Sequence, residues 1–332
     1  MGNDQLVLDR ERIHPQGGQP ERIVSVSNLT KHFGDEVAVD HVNFEIPPGT
    51  IFGFIGPSGS GKTTTVRMLT GIYEPTEGEV KVLGYNPKDF PRSVREQIGY
   101  MPQLFFLYPQ LTVWENLNFV ASLYGMHLLR RDRLHELLEF VELEGHEEKL
   151  VEDLSGGMRR RLTLATTLVQ DPLLLFLDEP TAGIDPVLRR KFWTHFEGLK
   201  EQGKTMFVTT QYVGEVAYCD LVGVMDQGRL LLVDSPDGLR YRTYGGDIVD
   251  IRTESHLTGD FVHLVEELPF VKRIIHSDGY SLRVIVNQGN EAIPDFMEWF
   301  GQQRIEIASI EEFLPPFDDV FVQLIEQKEE NV

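Results

Sequence analysis

Apolar and polar residues alternate along the first ordered stretch of the chain. From Ile23, the segments IVSVSNL and VAVDHVNFEI place apolar side chains at alternating positions, which predicts two strands. A Pro-Pro-Gly turn at 47–49 leads into the apolar run TIFGFIG. After Gly61 the period becomes helical, because KTTTVRMLTGI repeats its apolar residues every third position. We therefore predict a strand, a glycine loop and a helix over residues 50–72.

The middle of the chain alternates helical and strand-like segments. Residues 112–146 carry apolar residues at helical spacing, which predicts an all-helical insertion within a helical subdomain of about 104–165. The short apolar runs LLLFLD, which ends at Asp178, and TMFVTT, which ends at Thr210, predict buried strands. Because strands that alternate with helices form parallel sheets, we predict an α/β fold with ligand sites at the strand ends.

A change in composition at residues 234–246 marks the start of a second predicted domain. Beyond it the pattern reads strand, helix, strand, strand, helix and strand, which is the ferredoxin-like βαββαβ plan, followed by a helix over Asp318 to Gln327. The predicted organisation is a flexible arm at 1–20, an α/β domain at 21–240, a βαββαβ accessory domain at 241–327 and a tail at 328–332.

Length, charge and cysteine usage narrow the classes of function. The 332 residues are enough for two domains, and the net charge of −21 argues against binding to duplex nucleic acid, because phosphate binding needs a basic surface. The densest apolar stretch, Leu173 to Leu177, is far shorter than the roughly 20 residues that a membrane-spanning helix needs. The single cysteine, Cys219, and the absence of a signal-peptide pattern predict a cytosolic protein.

A glycine-rich motif follows the first buried strand. It matches the P-loop pattern of Gly, four residues, Gly, Lys and Thr, and it lies between a predicted strand and helix as that motif requires. In such a loop, backbone N–H groups surround phosphate oxygens, Lys62 adds a charge for the terminal phosphates and Thr63 offers a hydroxyl to Mg²⁺. The predicted phosphate-binding residues are Gly56, Pro57, Ser58, Gly59, Ser60, Gly61, Lys62, Thr63 and Thr64.

Two adjacent carboxylates end the strand LLLFLD. Asp178 is predicted to hold Mg²⁺, and Glu179 to polarise the water that attacks the γ-phosphate of a bound nucleotide. Acidic pairs at strand ends also occur as helix caps or solvated turns. The P-loop upstream favours the metal-binding interpretation.

The segment Leu154-Ser155-Gly156-Gly157-Met158 resembles the signature of the ATP-binding cassette (ABC) ATPases. The resemblance covers residues 22 to about 240, because the family's other landmarks follow in the same order. It implies a P-loop cassette with a RecA-like parallel core, an antiparallel β subdomain and a helical subdomain. It also implies ATP as the nucleotide and Mg²⁺ as the metal.

Three further residues match landmarks of the ABC family. Phe33 resembles the aromatic residue that stacks on adenine, and Gln103 resembles the glutamine that reaches the metal and the attacking water. Asp185 resembles the aspartate of the loop that faces the partner subunit. By this resemblance Gln103 joins Thr63 and Asp178 as a metal ligand, while Phe33, Asp185 and the signature residues Ser155, Gly156 and Gly157 join the nucleotide site.

The resemblance also implies partners. The signature opens the helix MRRRLTLATTLV, whose N-terminus is an anion site, and in the family it closes on the γ-phosphate held by another cassette. This sequence has one P-loop and one signature, so the expected assembly is a head-to-tail homodimer around two ATP molecules. The segments LSGGMRRRL, DEPTAGIDP and LPPFDDVFVQLIE resemble the ATPase subunits of ABC-2 exporters, including daunorubicin-resistance exporters, which pair with separate membrane proteins.

The apolar stretch Leu104 to Leu111 follows Gln103, where the family docks the coupling helix of its membrane partner. The alternative is ordinary core packing of the helical insertion. With such a partner, the subunit is expected to be peripheral on the cytoplasmic face of the membrane.

One position departs from the family pattern. After TMFVTT the family has a histidine that contacts the γ-phosphate, and here Gln211 occupies the position. Glutamine donates hydrogen bonds but cannot take up a proton or carry a positive charge, so the catalytic set of Glu179, Gln103 and Gln211 is expected to hydrolyse ATP slowly. The leading hypothesis is an ATPase subunit of an exporter, and the alternative is a regulatory or scaffold ATP-binding module with weakened hydrolysis.

Overall fold

The computed structural model describes residues 21–104, 106–126 and 130–330, so the predicted arm at 1–20 lies outside the described residues. The strands are β1 (Val24–Phe33), β2 (Glu36–Ile46), β3 (Ile51–Ile55), β4 (Glu77–Val82), β5 (Ile98–Met101), β6 (Leu174–Asp178), β7 (Thr205–Thr210), β8 (Leu221–Asp226), β9 (Arg229–Asp234), β10 (Asp247–Thr253), β11 (Val271–Ser277), β12 (Ser281–Val286) and β13 (Ile307–Glu312). The helices are α1 (Lys62–Leu69), α2 (Arg92–Arg95), α3 (Val113–Leu123), α4 (Arg131–Phe140), α5 (Gly156–Thr167), α6 (Pro186–Glu201), α7 (Pro236–Tyr244), α8 (Gly259–Glu266), α9 (Gly289–Gln302) and α10 (Phe317–Glu330). Short 3₁₀ helices occur at Pro87–Asp89, Val151–Asp153 and Val213–Tyr218.

The chain divides into two compact units, of which the first comprises residues 21–211 and 218–232. Its centre is a six-stranded sheet in the order β5-β6-β7-β3-β8-β9, in which the pairs from β5 to β8 are parallel. The phenylalanines of β3, β6 and β7 are fully buried and their rings pack against one another across the sheet. The prediction of an α/β cassette fold is therefore confirmed.

The first unit also contains a three-stranded antiparallel sheet, β2-β1-β4, and the helices α1 to α6. Helix α3 begins at a capping box, in which the Thr112 hydroxyl accepts from the Glu115 N–H and the Glu115 carboxylate accepts from the Thr112 N–H. The buried Asn116 amide binds the backbone of Tyr108, Leu111 and Thr112. These bonds fix the loop before α3 to the helix itself.

The second unit comprises residues 212–217 and 233–330. Its sheet has the antiparallel order β11-β12-β10-β13, and helices α8 and α9 occupy the two crossover positions, as in a ferredoxin-like βαββαβ fold. The core contains the inward residues of β10 and β12 together with Phe296 and Phe300 of α9. The unit starts before the expected boundary at 240, and α10 continues through residues 328–330 of the expected tail, since Lys and Glu favour helix.

Four strands in the first unit were not among the sequence predictions. Strand β4 (EGEVKV) has only two apolar residues, Val80 and Val82, and β5 (IGYM) is only four residues long, so neither shows a clear strand period. Strands β8 and β9 join through a turn at Gln227 and Gly228, both with positive φ, as a tight hairpin turn requires. Among the described helices, none has both the length and the apolar character needed to cross a bilayer.

Candidate active site

The glycine loop 56–61 joins β3 to α1 and needs glycine for steric reasons. A Cβ on Gly56 would lie 2.1 Å from the Met225 carbonyl oxygen, and one on Gly61 would lie 2.5 Å from the Ala38 carbonyl oxygen. Gly61 also has φ of +102°, which side-chain-bearing residues rarely adopt. The backbone therefore packs too closely for any side chain at these two positions, while Pro57, Ser58 and Gly59 are exposed.

Lys62 is the first residue of α1 and points back into the loop. Its ammonium donates to the carbonyl oxygens of Gly56 at 2.7 Å and Pro57 at 2.9 Å. Burial lowers the pKa of Lys62, and the negative charges of Glu179 and Asp178 offset part of that effect. A buried ammonium at the N-terminus of a helix makes this loop attractive to an anion.

Asp178 ends β6 and is almost fully buried beside the loop. Its Oδ1 accepts from the Thr63 hydroxyl at 3.2 Å and from the Thr209 hydroxyl at 2.6 Å. Thr209 is the register partner of Asp178 in the parallel pair β6–β7, which explains the short distance. Sequence reasoning missed Thr209, because the cross-strand register was not visible in the sequence.

Oxygen donors converge at this point of the site. The Thr63 hydroxyl and the Asp178 carboxylate, which are hydrogen-bonded to each other, are hard oxygen ligands of the kind that Mg²⁺ prefers. The Asp178 Oδ2 atom is buried and has no hydrogen-bond partner among the described residues. Because a buried carboxylate oxygen without a partner is unfavourable, this donor set fits a bound cation.

Glu179 follows Asp178 in an unusual backbone conformation. Its φ is +51°, in the left-handed region, and its N–H donates to the hydroxyl and carbonyl oxygens of Thr209. The Gln103 side-chain amide donates to Glu179 Oε2 at 3.2 Å. The structure thus brings the predicted residues Lys62, Thr63, Gln103, Asp178 and Glu179 into one cluster.

Sequence reasoning also missed Arg160, a buried residue of α5. Its guanidinium donates to the backbone carbonyl oxygens of Gln103, Asp178 and Pro180. The sequence signal was the run Arg159 to Arg161, whose middle member lies on the buried face of α5.

Phe33, at the end of β1, is 44% exposed. Its ring meets Tyr73 edge to face at 5.5 Å between centroids, and the Lys31 ammonium lies 5.3 Å from the Phe33 centroid. An exposed ring held from two sides offers a flat surface for stacking.

The remaining predicted residues lie at helix starts or loop ends. Ser155 caps α5 by accepting from the Met158 N–H, and Asp185 caps α6 by accepting from the N–H groups of Val187 and Leu188. Within the part of the chain that the structure describes, no hydrogen bond or ion pair joins Ser155 or Asp185 to the glycine loop. Gln211 follows β7 and is exposed.

Comparison with known proteins identifies the family. The protein-family model described as "ABC transporter" matches residues 39–182. The Nod factor export ATP-binding protein I of Cupriavidus metallidurans is 39% identical over 231 residues, which are 69% of this chain and 76% of that protein. The chain belongs to the ATP-binding proteins of ABC transporters. The resemblance to ABC ATPases of exporters that was drawn from the signature is confirmed.

Two further similarities place the chain within this family. The probable multidrug ABC transporter ATP-binding protein YbhF of Escherichia coli is 38% identical over 257 residues, or 77% of this chain. The chain spans only 44% of the length of YbhF. The dimeric ATP-binding cassette MJ0796, solved in a post-hydrolysis state bound to ADP and Pi, superposes with a TM-score of 0.60 at 29% identity, covering 64% of this chain and 98% of MJ0796.

Proposed function

We propose that this chain binds and hydrolyses ATP as the nucleotide-binding subunit of an ABC exporter. The observation that carries the proposal is the single cluster formed by the glycine loop, Lys62, Thr63, Asp178, Glu179 and Gln103. A phosphate-binding loop, an acidic strand end and a carboxylate next to an amide are the parts that phosphoryl transfer to water requires.

In the proposed mechanism, the N–H groups of the loop and the Lys62 ammonium bind the β- and γ-phosphates. Thr63, Asp178 and Gln103 would hold Mg²⁺, which neutralises charge on the phosphates when bound. The Glu179 carboxylate accepts a hydrogen bond from the attacking water, and Gln103 orients that carboxylate through the bond at 3.2 Å. Phe33 stacks on the adenine ring.

The proposed active form is a head-to-tail homodimer. A Cβ on Gly156 or on Gly157 would meet nothing within 4 Å, so packing within the chain does not require glycine at either position. The N-terminus of α5 is also exposed. Both facts support close approach of the γ-phosphate bound to a second copy, with Ser155 and Asp185 facing that copy.

A mixing experiment tests both hydrolysis and the head-to-tail arrangement. Lys62→Ala inactivates the P-loop of one copy, and Gly156→Asp places a carboxylate at the signature of another. Each variant alone should hydrolyse almost no ATP. An equal mixture should recover activity, because the intact P-loop of one copy then meets the intact signature of the other. A mixture that stays as inactive as either variant contradicts the dimer, and an inactive wild type contradicts the ATPase function.

We further propose that a separate membrane subunit docks beside Gln103. Leu104 and Phe106 are 74% and 77% exposed, so they are not core residues of the helical insertion. The half-exposed Tyr108 meets Phe119 of α3 edge to face at 4.8 Å, and Leu123 lies one turn further along α3. These residues form an exposed apolar surface. Phe105, which belongs to the same apolar stretch of the sequence, lies outside the described residues.

This docking would place the subunit peripherally on the cytoplasmic face of the membrane. Leu104→Glu should abolish co-purification with a co-expressed candidate membrane subunit while leaving the ATPase rate of the isolated chain unchanged. The control is Leu314→Glu, which alters another exposed leucine, in the second unit. Co-purification of both variants at the wild-type level contradicts the docking surface.

The alternative function, a regulatory module with weak hydrolysis, is supported by the position of one segment. Residues 212–217 follow Gln211 directly and yet belong to the compact unit formed by residues 233–330. A change in that unit could therefore act on Gln211 through the chain itself. Deletion of residues 241–332 should change the ATPase rate or dimerisation, and no change in either contradicts a regulatory role.

A further inference from the structure

Arg160 connects two loops of the candidate active site. Its Nη1 donates to the Gln103 carbonyl oxygen at 2.7 Å, in the loop that follows β5. Its Nη2 donates to the carbonyl oxygen of Asp178 at 3.1 Å and its Nε to that of Pro180 at 3.2 Å. These two carbonyls flank Glu179, so one side chain of α5 binds the backbone on both sides of it.

The chemistry of arginine suits this connection. A guanidinium is planar and presents its N–H donors in fixed directions, so three acceptors bound to it have fixed relative positions. A lysine ammonium is a point charge on a flexible stem and fixes no such plane. Arg160 therefore determines the distance between the backbone of Gln103 and the backbone around Glu179 in a way that few residues could.

The burial of Arg160 shows that these bonds are structurally important. The residue is only 3% exposed, and burial lowers the pKa of its guanidinium, while Glu179 and Asp178 act in the opposite direction. Burying a cation is unfavourable unless hydrogen bonds and opposite charges compensate. Here the compensation comes from the two loops themselves, so their positions and that of α5 depend on one another.

We propose that Arg160 is a positioning residue for ATP hydrolysis, which holds the Gln103 amide opposite the Glu179 carboxylate by fixing the backbone of both loops. The inference rests on the proposed roles of Gln103 and Glu179. It extends them to the signature helix, because Arg160 lies on the helix that begins at Ser155 and Gly156. Movement of α5 on contact with a second copy is thereby transmitted to the active site of its own chain.

The first test is a kinetic comparison of three variants. Arg160→Gln should lower kcat about 10- to 100-fold, the range expected when reacting groups shift by about 1 Å. The KM for ATP should stay within about twofold, because the loop and Lys62 remain intact. Arg160→Lys should not restore kcat, since it retains the charge without the planar donors. The control is Arg161→Gln, which removes a neighbouring arginine bound to the carbonyls of Val141 and Glu142.

The second test does not depend on hydrolysis. The amides of Glu179 and Ala182 donate to backbone oxygens and should be protected from hydrogen exchange in the nucleotide-free protein. Arg160→Gln should increase exchange at these amides and at Gln103, and Arg161→Gln should not. A purely structural role would instead raise exchange throughout the first unit and lower the melting temperature without selective loss of kcat.

The outcomes separate this inference from the proposed function. If the wild type does not hydrolyse ATP, the proposed function fails, and the exchange test still decides whether Arg160 positions the loops. If the wild type is active and Arg160→Gln matches Arg161→Gln in kcat and in exchange, the inference is overturned. If Arg160→Gln does not fold, Arg160→Lys decides: wild-type kcat overturns the inference and reduced kcat at unchanged KM supports it.

Discussion

The Gln103 side-chain amide donates a hydrogen bond to the Glu179 carboxylate at 3.2 Å, although 76 positions separate the two residues along the chain. They meet because β5 and β6 are adjacent parallel strands whose carboxyl ends lie at the same edge of the sheet. Thr209 accepts from the Glu179 N–H on the other side. Glu179 is thus fixed at two points: its N–H binds Thr209, and its carboxylate accepts from the amide of a neighbouring loop.

Replacement of Glu179 tests its role in activating water. Glu179→Gln keeps the size of the side chain and removes its ability to accept a proton, so hydrolysis should fall on the order of 10²- to 10⁴-fold. ATP binding should persist and the dimer should accumulate, as measured by phosphate release and light scattering. The matched control, Glu197→Gln, changes an exposed carboxylate of α6 and should retain the wild-type rate.

Thr209 of β7 should contribute both to the stability of the fold and to Mg²⁺-dependent nucleotide binding. Thr209→Val removes a hydroxyl that donates to Asp178 and accepts from Glu179, which should destabilise the fold by about 1–3 kcal/mol and weaken Mg²⁺-dependent nucleotide binding. Thr205→Val removes a buried hydroxyl of the same strand that accepts from the Gly49 N–H. Thr205→Val should lower stability but leave Mg²⁺-dependent nucleotide binding unchanged, as measured by denaturant unfolding and Mg²⁺ titration. Equal Mg²⁺ dependence in both variants would count against this contribution of Thr209.

Substitution of two glycines by alanine should change the stability of the protein by different amounts. Gly61→Ala should destabilise the chain by more than about 1 kcal/mol, because its Cβ would strike the Ala38 carbonyl oxygen and its φ is +102°. Gly156→Ala has free space around the new Cβ and should change stability by less than about 0.5 kcal/mol. Denaturant unfolding measures both values. Equal losses of stability would contradict the steric distinction.

The buried ammonium of Lys62 should make stability depend on pH. Burial lowers its folded-state pKa below the ordinary 10.5, so the unfolded chain binds more protons between those two values. The free energy of unfolding from this group therefore rises with pH through that window. Lys62→Met should remove this contribution, which is measurable as the difference between the two pH profiles of unfolding. Identical profiles would show that Lys62 has its ordinary pKa.

Gln211 should limit the rate of hydrolysis. Gln211→His introduces a side chain that carries a proton and a charge next to the γ-phosphate, so the steady-state ATPase rate should rise. Gln202→His, at the exposed C-terminal end of α6, is the control and should leave the rate unchanged. Equal rates for Gln211→His and the wild type would exclude slowed hydrolysis at this position.

Much of the fold followed from local patterns. The strand, glycine loop and helix around Lys62 are contiguous in sequence, and the loop conformation depends on glycines within it, so the motif predicted the geometry. The βαββαβ order of the second unit also followed from alternating periods. Strands β4 and β5 were missed because β4 is mostly polar, with Val80 and Val82 as its only apolar residues, and β5 has only four residues, so neither shows a clear alternation.

The sequence alone was enough to identify the chemical groups of this protein: a phosphate-binding loop, two carboxylates at a strand end and a signature at a helix start. Which of these groups contact one another depends on the packing of the folded chain. Thr209 reaches Asp178 through the register of two parallel strands, and Arg160 reaches three carbonyls of two separate loops. Contacts of this kind depend on packing between distant segments, and local propensity carries no record of them.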